Sequence, residues 1–167
     1  MTEARPMITG LGVDIVEIDR MKTALSRHPQ MRERVFSEEE RAYCESRNRP
    51  EIHYAMRFAA KEAVLKALGQ GFSGGVRFSD VAVTRDERGR PVPVLCGRAA
   101  AIAHEAGVVE MHLSLSFTHH NAVASAVAVT ERMRPHKQEV APSAGDALAA
   151  SFKDVRGMLD EVGGDTQ

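Results

Sequence analysis

The chain has 167 residues, 43 % of them hydrophobic, and a formal net charge of −1. That length supports one core of ordinary size with a possible appendage, the near-zero charge argues against a globally basic nucleic-acid binder, and no run approaches the ~20 apolar residues of a membrane span. Cys44 and Cys96 belong to no CxxC or Cys/His zinc pattern, and residues 1–10 hold no apolar segment of signal-peptide length, so a reduced, cytoplasmic protein is expected.

In chain order, residues 8–16 read as a strand with two unlike faces. Thr9, Leu11, Val13 and Ile15 make an ordinary core face. Ile8, Gly10, Gly12, Asp14 and Val16 make a face cleared by glycine beside one carboxylate. Glycines in a strand leave room for another backbone or a ligand. A helix is predicted over 19–27, stopped by Pro29. Ser37 and Glu40 form a capping box that opens a helix running to about residue 48. Pro50 suits the first turn of the next helix, which runs to Leu68 and ends at Gly69.

The second half changes period. Residues 76–84 and 91–95 read as strands joined by a turn at 86–89. Residues 97–106 read as an Ala-rich helix ended by Gly107, and 111–117 and 122–129 as two strands joined at Thr118-His119-His120-Asn121. The expected fold class is α+β, with an N-terminal strand and helices packed on a mainly antiparallel sheet. Residues 7–133 form the expected domain and 134–145, with Pro135, Pro142, Ser143 and Gly145, a linker. Residues 146–162 are expected as a helix capped by Asp146. Its Leu148, Phe152, Val155, Met158 and Leu159 make an apolar stripe suited to the domain's own surface or to a partner.

The segment 58–68 carries the most chemical information. At 100° per residue, Ala59, Ala60, Ala63, Val64, Ala67 and Leu68 cover about half of the helix, and Phe58 and Leu65 make much of the remainder apolar. Glu62 and Lys66 share a narrow polar strip, one turn apart. A helix apolar nearly all round is usually buried, and charges on it need partners. One reading is a solvated Glu–Lys pair, worth only about 0.3–0.5 kcal/mol. Asp14 offers another, beside its plainer reading as a capping or core-satisfied aspartate. Asp14 and Glu62 together give two hard oxygen ligands, and Lys66 adds a charge for a phosphate oxygen. That is a donor set for Mg²⁺ and a substrate phosphate.

Gly10-Leu11-Gly12-Val13-Asp14-Ile15-Val16-Glu17-Ile18 resembles the N-terminal signature of the holo-[acyl-carrier-protein] synthases, of the 4′-phosphopantetheinyl transferase superfamily. Arg57-Phe58-Ala59-Ala60-Lys61-Glu62-Ala63-Val64-Leu65-Lys66-Ala67-Leu68-Gly69 resembles their second signature, and Ser116-Phe117-Thr118-His119 their third. The motifs keep the family's order and rough spacing, and the resemblance spans residues 7–132. It implies transfer of 4′-phosphopantetheine from CoA to a serine of apo acyl carrier protein, releasing adenosine 3′,5′-bisphosphate, in support of fatty acid biosynthesis. It implies Mg²⁺ as cofactor, held by Asp14 and Glu62, with Lys66 on the CoA phosphates completing the catalytic set. Arg57 and His119 are implied in CoA binding, His119 from a neighbouring subunit of a homotrimer whose active sites lie at subunit interfaces. Arg20 and Arg27 are implied in docking the acidic carrier protein.

This sequence departs from the family at His120, where many members have Thr, and the following turn is one residue shorter. Read as a transition-metal pair, His119 and His120 lack a third ligand nearby. Arg20, Arg27, Arg32 and Arg34 also fit as solvated charges. Three other readings remain open on the residues alone. They are a non-catalytic CoA-binding module, a transferase serving a polyketide or peptide synthase carrier, and a structural trimer locked by Glu62 and Lys66.

Overall fold

In the computed structural model, which describes residues 10–69, 75–130 and Arg156, strand β1 (Gly10–Glu17) runs straight into helix α1 (Ile18–Arg27). Helices α2 (Met31–Val35), α3 (Glu38–Glu45) and α4 (Pro50–Ala67) follow. After a 3₁₀ turn (Phe78–Asp80) come strands β2 (Val81–Arg85) and β3 (Pro91–Leu95), helix α5 (Gly97–Glu105), and strands β4 (Val108–Phe117) and β5 (Asn121–Thr130). The fold is α+β, as expected. The linker and helix expected over 134–162 lie outside the described residues, apart from Arg156.

Local sequence explains most boundaries. The capping box at the start of α3 is present: Ser37 Oγ accepts the Glu40 N–H at 3.2 Å, and Glu40 Oε2 accepts the Ser37 N–H at 2.9 Å. Helix α3 ends three residues earlier than expected. Arg49 precedes Pro50 and is pushed out of helical geometry, to φ −129° and ψ 77°. Pro50 opens α4, and Gly69, at φ +71°, closes it by donating to the Lys66 carbonyl at 3.0 Å. The strand expected over 76–84 begins only at Val81. Asp80 draws the preceding chain into a 3₁₀ turn by accepting the Arg77 N–H at 3.1 Å. Helix α2 has no counterpart in the sequence reading, because five residues are too few to show a helical period.

The strand order β1-β5-β4 is antiparallel throughout. One face of this sheet carries almost no side chains near its centre. Gly10 pairs with Ala128, Gly12 with Ala126, Asp14 with Ala124 and Val16 with Ala122, and all four alanines are fully buried. Helix α4 meets that face with Ala59, Ala60, Ala63 and Ala67, also fully buried. The approach is backbone to backbone. A Cβ on Gly12 would stand 1.8 Å from the Ala63 carbonyl oxygen, and one on Gly10 1.5 Å from that of Ala67. Gly12→Ala is therefore expected to cost about 3 kcal/mol, the upper end for overpacking. A thermal melt should show the midpoint falling by roughly 10 °C; an unchanged midpoint would mean that β1 does not rest on α4.

This arrangement reverses the expectation for β1. Leu11, Val13 and Ile15, read as its core face, are 64 %, 49 % and 62 % exposed. They pair with Val127, Ser125 and Val123 on β5, which in turn face His112, Ser114 and Ser116 on β4. The glycine face is the packed one because only it lets α4 come close. The chain has no second layer among the described residues to cover the other. Exposed apolar stripes of this kind mark interaction surfaces.

A smaller sheet, β2 with β3, lies beside the helices. Its Pro91 and Pro93 face Arg85 and Val83, where the missing N–H groups leave no gap in the ladder. The outer edge of β2 is closed by side chains instead of a strand. Glu40 of α3 and Lys61 of α4, both buried, form an ion pair at 2.8 Å. Glu40 Oε1 accepts the Val83 N–H at 3.0 Å, and Lys61 Nζ donates to the carbonyls of Val81 and Phe78. With the Ser37 N–H also on the carboxylate, both carboxylate oxygens and all three Lys61 donors are engaged, as burial of two charges demands.

Candidate active site

Asp14 sits midway along β1 on the face turned to α4, just past the two glycines. Glu62 and Lys66 are one helical turn apart on α4, so the close packing brings all three together. Lys66 Nζ lies 2.7 Å from Asp14 Oδ1 and donates to the Val13 carbonyl at 3.0 Å. Burial raises the Glu62 carboxyl above its ordinary value, the Asp14 charge raises it further, and Lys66 offsets part of this. Two carboxylates thus share a site with a single ammonium, leaving a net negative charge that a cation would relieve.

The site opens into a groove of roughly 520 Å³ lined by Asp14, Glu62, Glu17, Arg20, Met21 and Phe58, among others. Its second wall is α1, reached from β1 without a loop. Arg20 faces the groove, and Arg27, seven residues on and hence on about the same side of α1, is exposed beyond it. No group of three or more His, Cys, Asp or Glu side chains converges as a metal cage among the described residues. Two carboxylates open to a groove instead fit Mg²⁺, which keeps waters and takes substrate phosphate oxygens in place of an all-protein cage. Any metal bound here would be held by Asp14 and Glu62.

His119 lies in the exposed turn between β4 and β5 and does not line the groove. That turn is held by Thr118 Oγ1, which accepts the N–H groups of His120 and Asn121. It is fixed to the β1–α1 junction because the His120 carbonyl accepts the Ile18 N–H at 2.8 Å.

Arg57 is elsewhere. It precedes Glu62 by five residues, which at 100° each places it about 140° around α4. It is buried beside a smaller pocket of roughly 160 Å³, lined also by Tyr43, Arg85, Gly89, Pro91 and Leu115. Three guanidinium groups surround the Tyr43 ring, those of Arg57, Arg47 and Arg85 at 4.0, 4.3 and 5.3 Å from its centroid. Arg85 also donates to the Tyr43 hydroxyl at 2.9 Å. The Arg57 Nε has no hydrogen-bond acceptor among the described residues. Burial, and then the charges of Arg57, Arg47 and Arg85, hold His53 below its ordinary value. The surroundings are those of an anion site. Sequence reading missed Tyr43, Arg47 and Arg85. Arg57 was already implied by the family resemblance, and Arg47 was within reach, one turn from the Tyr43 ring, but Arg85 arrives from a distant hairpin with no local signal.

The chain therefore holds a carboxylate–lysine groove on one side of α4 and an arginine pocket on another. Residues 10–128 match the 4′-phosphopantetheinyl transferase superfamily. The holo-[acyl-carrier-protein] synthase of Moorella thermoacetica is 48 % identical over 120 residues, which are 72 % of this chain and 91 % of that protein. That of Clostridium kluyveri is 46 % identical over 128 residues, 76 % of this chain and 94 % of the relative. A crystal structure of the Bacillus anthracis holo-(acyl-carrier-protein) synthase, in complex with CoA (3′,5′-ADP), superposes with a TM-score of 0.62 at 34 % identity, covering 75 % of this chain and 99 % of that one. With this match across its described strands and helices, the chain belongs to the 4′-phosphopantetheinyl transferase superfamily.

Proposed function

We infer that this chain transfers the 4′-phosphopantetheine group from CoA to a serine of an apo acyl carrier protein, releasing adenosine 3′,5′-bisphosphate. The observation that carries the reading is the convergence of Asp14, Glu62 and Lys66 at the mouth of a groove walled by α1. The serine oxygen attacks the phosphorus bearing the pantetheine arm. A new P–O bond forms as the serine O–H gives its proton to solvent water, the bond to the bridging oxygen breaks, and that oxygen leaves with the electron pair as part of the bisphosphate. Catalysis of this kind is mostly positioning and charge stabilisation. Mg²⁺ bound at Asp14 and Glu62 would supply positive charge to the pyrophosphate. Lys66, fixed by Asp14 and the Val13 carbonyl, presents its ammonium where charge grows on the leaving oxygen. Arg20 and Arg27 line up along α1 to receive an acidic carrier, placing its serine at the groove.

Arg57 and its pocket take the nucleotide end of CoA, with His119 a further contact. Neither shares the groove within one chain, and the exposed stripe of Leu11, Val13 and Ile15 supports a homotrimer in which one subunit's arginine pocket meets its neighbour's carboxylates. No helix among the described residues is long and apolar enough to cross a membrane, consistent with a cytoplasmic role in fatty acid biosynthesis.

Intact-mass measurement of apo acyl carrier protein incubated with the enzyme, CoA and Mg²⁺ tests the reaction. The carrier should gain about 340 Da, the transferred phosphopantetheine, with EDTA abolishing the gain and added salt slowing it by weakening carrier docking. CoA binding without any gain would leave a binding module; neither binding nor gain would remove the transferase reading.

A further inference from the structure

We propose that the buried Glu40–Lys61 pair positions the arginine pocket, fixing the β2–β3 hairpin against α3 and α4 at the spacing that CoA's nucleotide end requires. The proposal rests on the reading that the Arg57 pocket takes CoA. Glu40 stands three residues before Tyr43 on α3, Lys61 four residues after Arg57 on α4, and Val83, whose N–H Glu40 holds, two residues before Arg85 on β2. Each wall of the pocket is thus one helical turn from a member of the pair, or one strand alternation from the residue Glu40 holds. Tyr43, Arg57, Val83 and Arg85 all line that pocket.

An apolar contact in the same place would hold the layers together without choosing a register between them. Buried ion pairs seldom stabilise a fold more than well-packed hydrophobic residues of similar size. This one does something that hydrophobic residues cannot. By bonding the Val83 N–H and the Val81 carbonyl, it occupies the edge that a neighbouring strand would otherwise set. The hairpin cannot slide along α4 without breaking those bonds. Arg85, at the turn end of the hairpin, is thereby held over Tyr43 together with Arg57.

The test uses the full chain with two variants. Glu40→Gln/Lys61→Met removes both charges at similar volume. Glu40→Asp keeps both charges but withdraws the carboxylate by one methylene. Each is expected to raise the KM and the calorimetric Kd for CoA about tenfold, equivalent to ~1.4 kcal/mol, while kcat at saturating CoA and the carrier's KM stay within about twofold of wild type. A folded variant with an unchanged CoA KM overturns the proposal, as does a fall in kcat with both KM values unaltered, the signature of lost active protein. A third measurement needs no variant: CoA should slow amide hydrogen exchange at Val83 and Arg85 in the wild-type protein, and no slowing counts against the proposal. Arg57→Ala separates the two layers of argument. If it leaves the CoA Kd unchanged, the pocket assignment fails. If it weakens CoA while the Glu40 and Lys61 variants do not, only the positioning role fails.

Discussion

Glu62→Gln is expected to lower the rate of phosphopantetheine transfer by about 10²–10³, the loss typical when one preorganised electrostatic contributor is removed, without lowering stability. The two halves of this result have different causes. Glutamine keeps the size and one acceptor oxygen but loses the charge that holds a divalent ion. Stability should not fall, because the fold already disfavours that charge. Burial and the neighbouring Asp14 raise the Glu62 carboxyl above its ordinary value, so the folded state holds the proton more tightly than the unfolded chain. A group shifted this way makes stability decline as pH rises through its folded value. At neutral pH without metal, the variant should therefore melt at or slightly above the wild-type temperature. Adding Mg²⁺ should raise the wild-type midpoint and leave the variant's unchanged. Turnover near the wild-type rate would exclude Glu62 from the site.

The second large effect concerns assembly. Leu11→Lys places a charge at a position 64 % exposed in the single chain, so the subunit should still fold. In the proposed trimer it buries that charge in an apolar seam opposite Val127. Light scattering should then report a monomer, and transfer activity should fall by about 10² or more, since the arginine pocket and the carboxylate groove would no longer meet. A trimer of full activity would show that the exposed face is not the seam. Mixing gives a stricter check. Glu62→Gln and Arg57→Ala subunits are each expected to be inactive alone. Co-assembled in equal amounts, about a quarter of their interfaces pair two intact halves in a cyclic trimer, and activity should recover to that extent. No recovery would place both halves of the site in one subunit.

The carboxylate–lysine site was legible because its signals are local. Glu62 and Lys66 are four apart on a helix otherwise apolar, and Asp14 follows two glycines on one strand face. The orientation of that strand was not. Leu11, Val13 and Ile15 look like a core by the rule that apolar strand faces are buried, and the rule fails here because α4 packs on the glycine face instead. A corrective signal was present in β5, whose Ala122, Ala124, Ala126 and Ala128 alternate with larger residues. A row of alanines facing a row of glycines marks the side where a helix comes close. The arginine pocket depends on the β2–β3 hairpin folding back onto α3, a contact between segments some forty residues apart, and no local period encodes it. The Glu40 side of the ion pair was equally hidden. Its capping role accounted for the glutamate completely, and its second carboxylate oxygen, on the Val83 N–H, is visible only once β2 is in place.

The absence of a loop between β1 and α1 gives the enzyme a built-in ruler. Glu17, at φ −69° and ψ 126°, is still extended, and Ile18 is already helical with its N–H fixed to the His120 carbonyl. Asp14 and Arg20 are thus joined by five residues of regular backbone, with no flexible joint to absorb a mismatch. A carrier docked on the α1 arginines, as proposed, would have its reach to the carboxylates set in advance. Its serine must lie at one distance from its acidic docking surface. Selection among carriers would then act on that spacing more than on the identity of the residues around the serine, and one extra residue at Glu17–Ile18 would shift the gauge for every carrier at once.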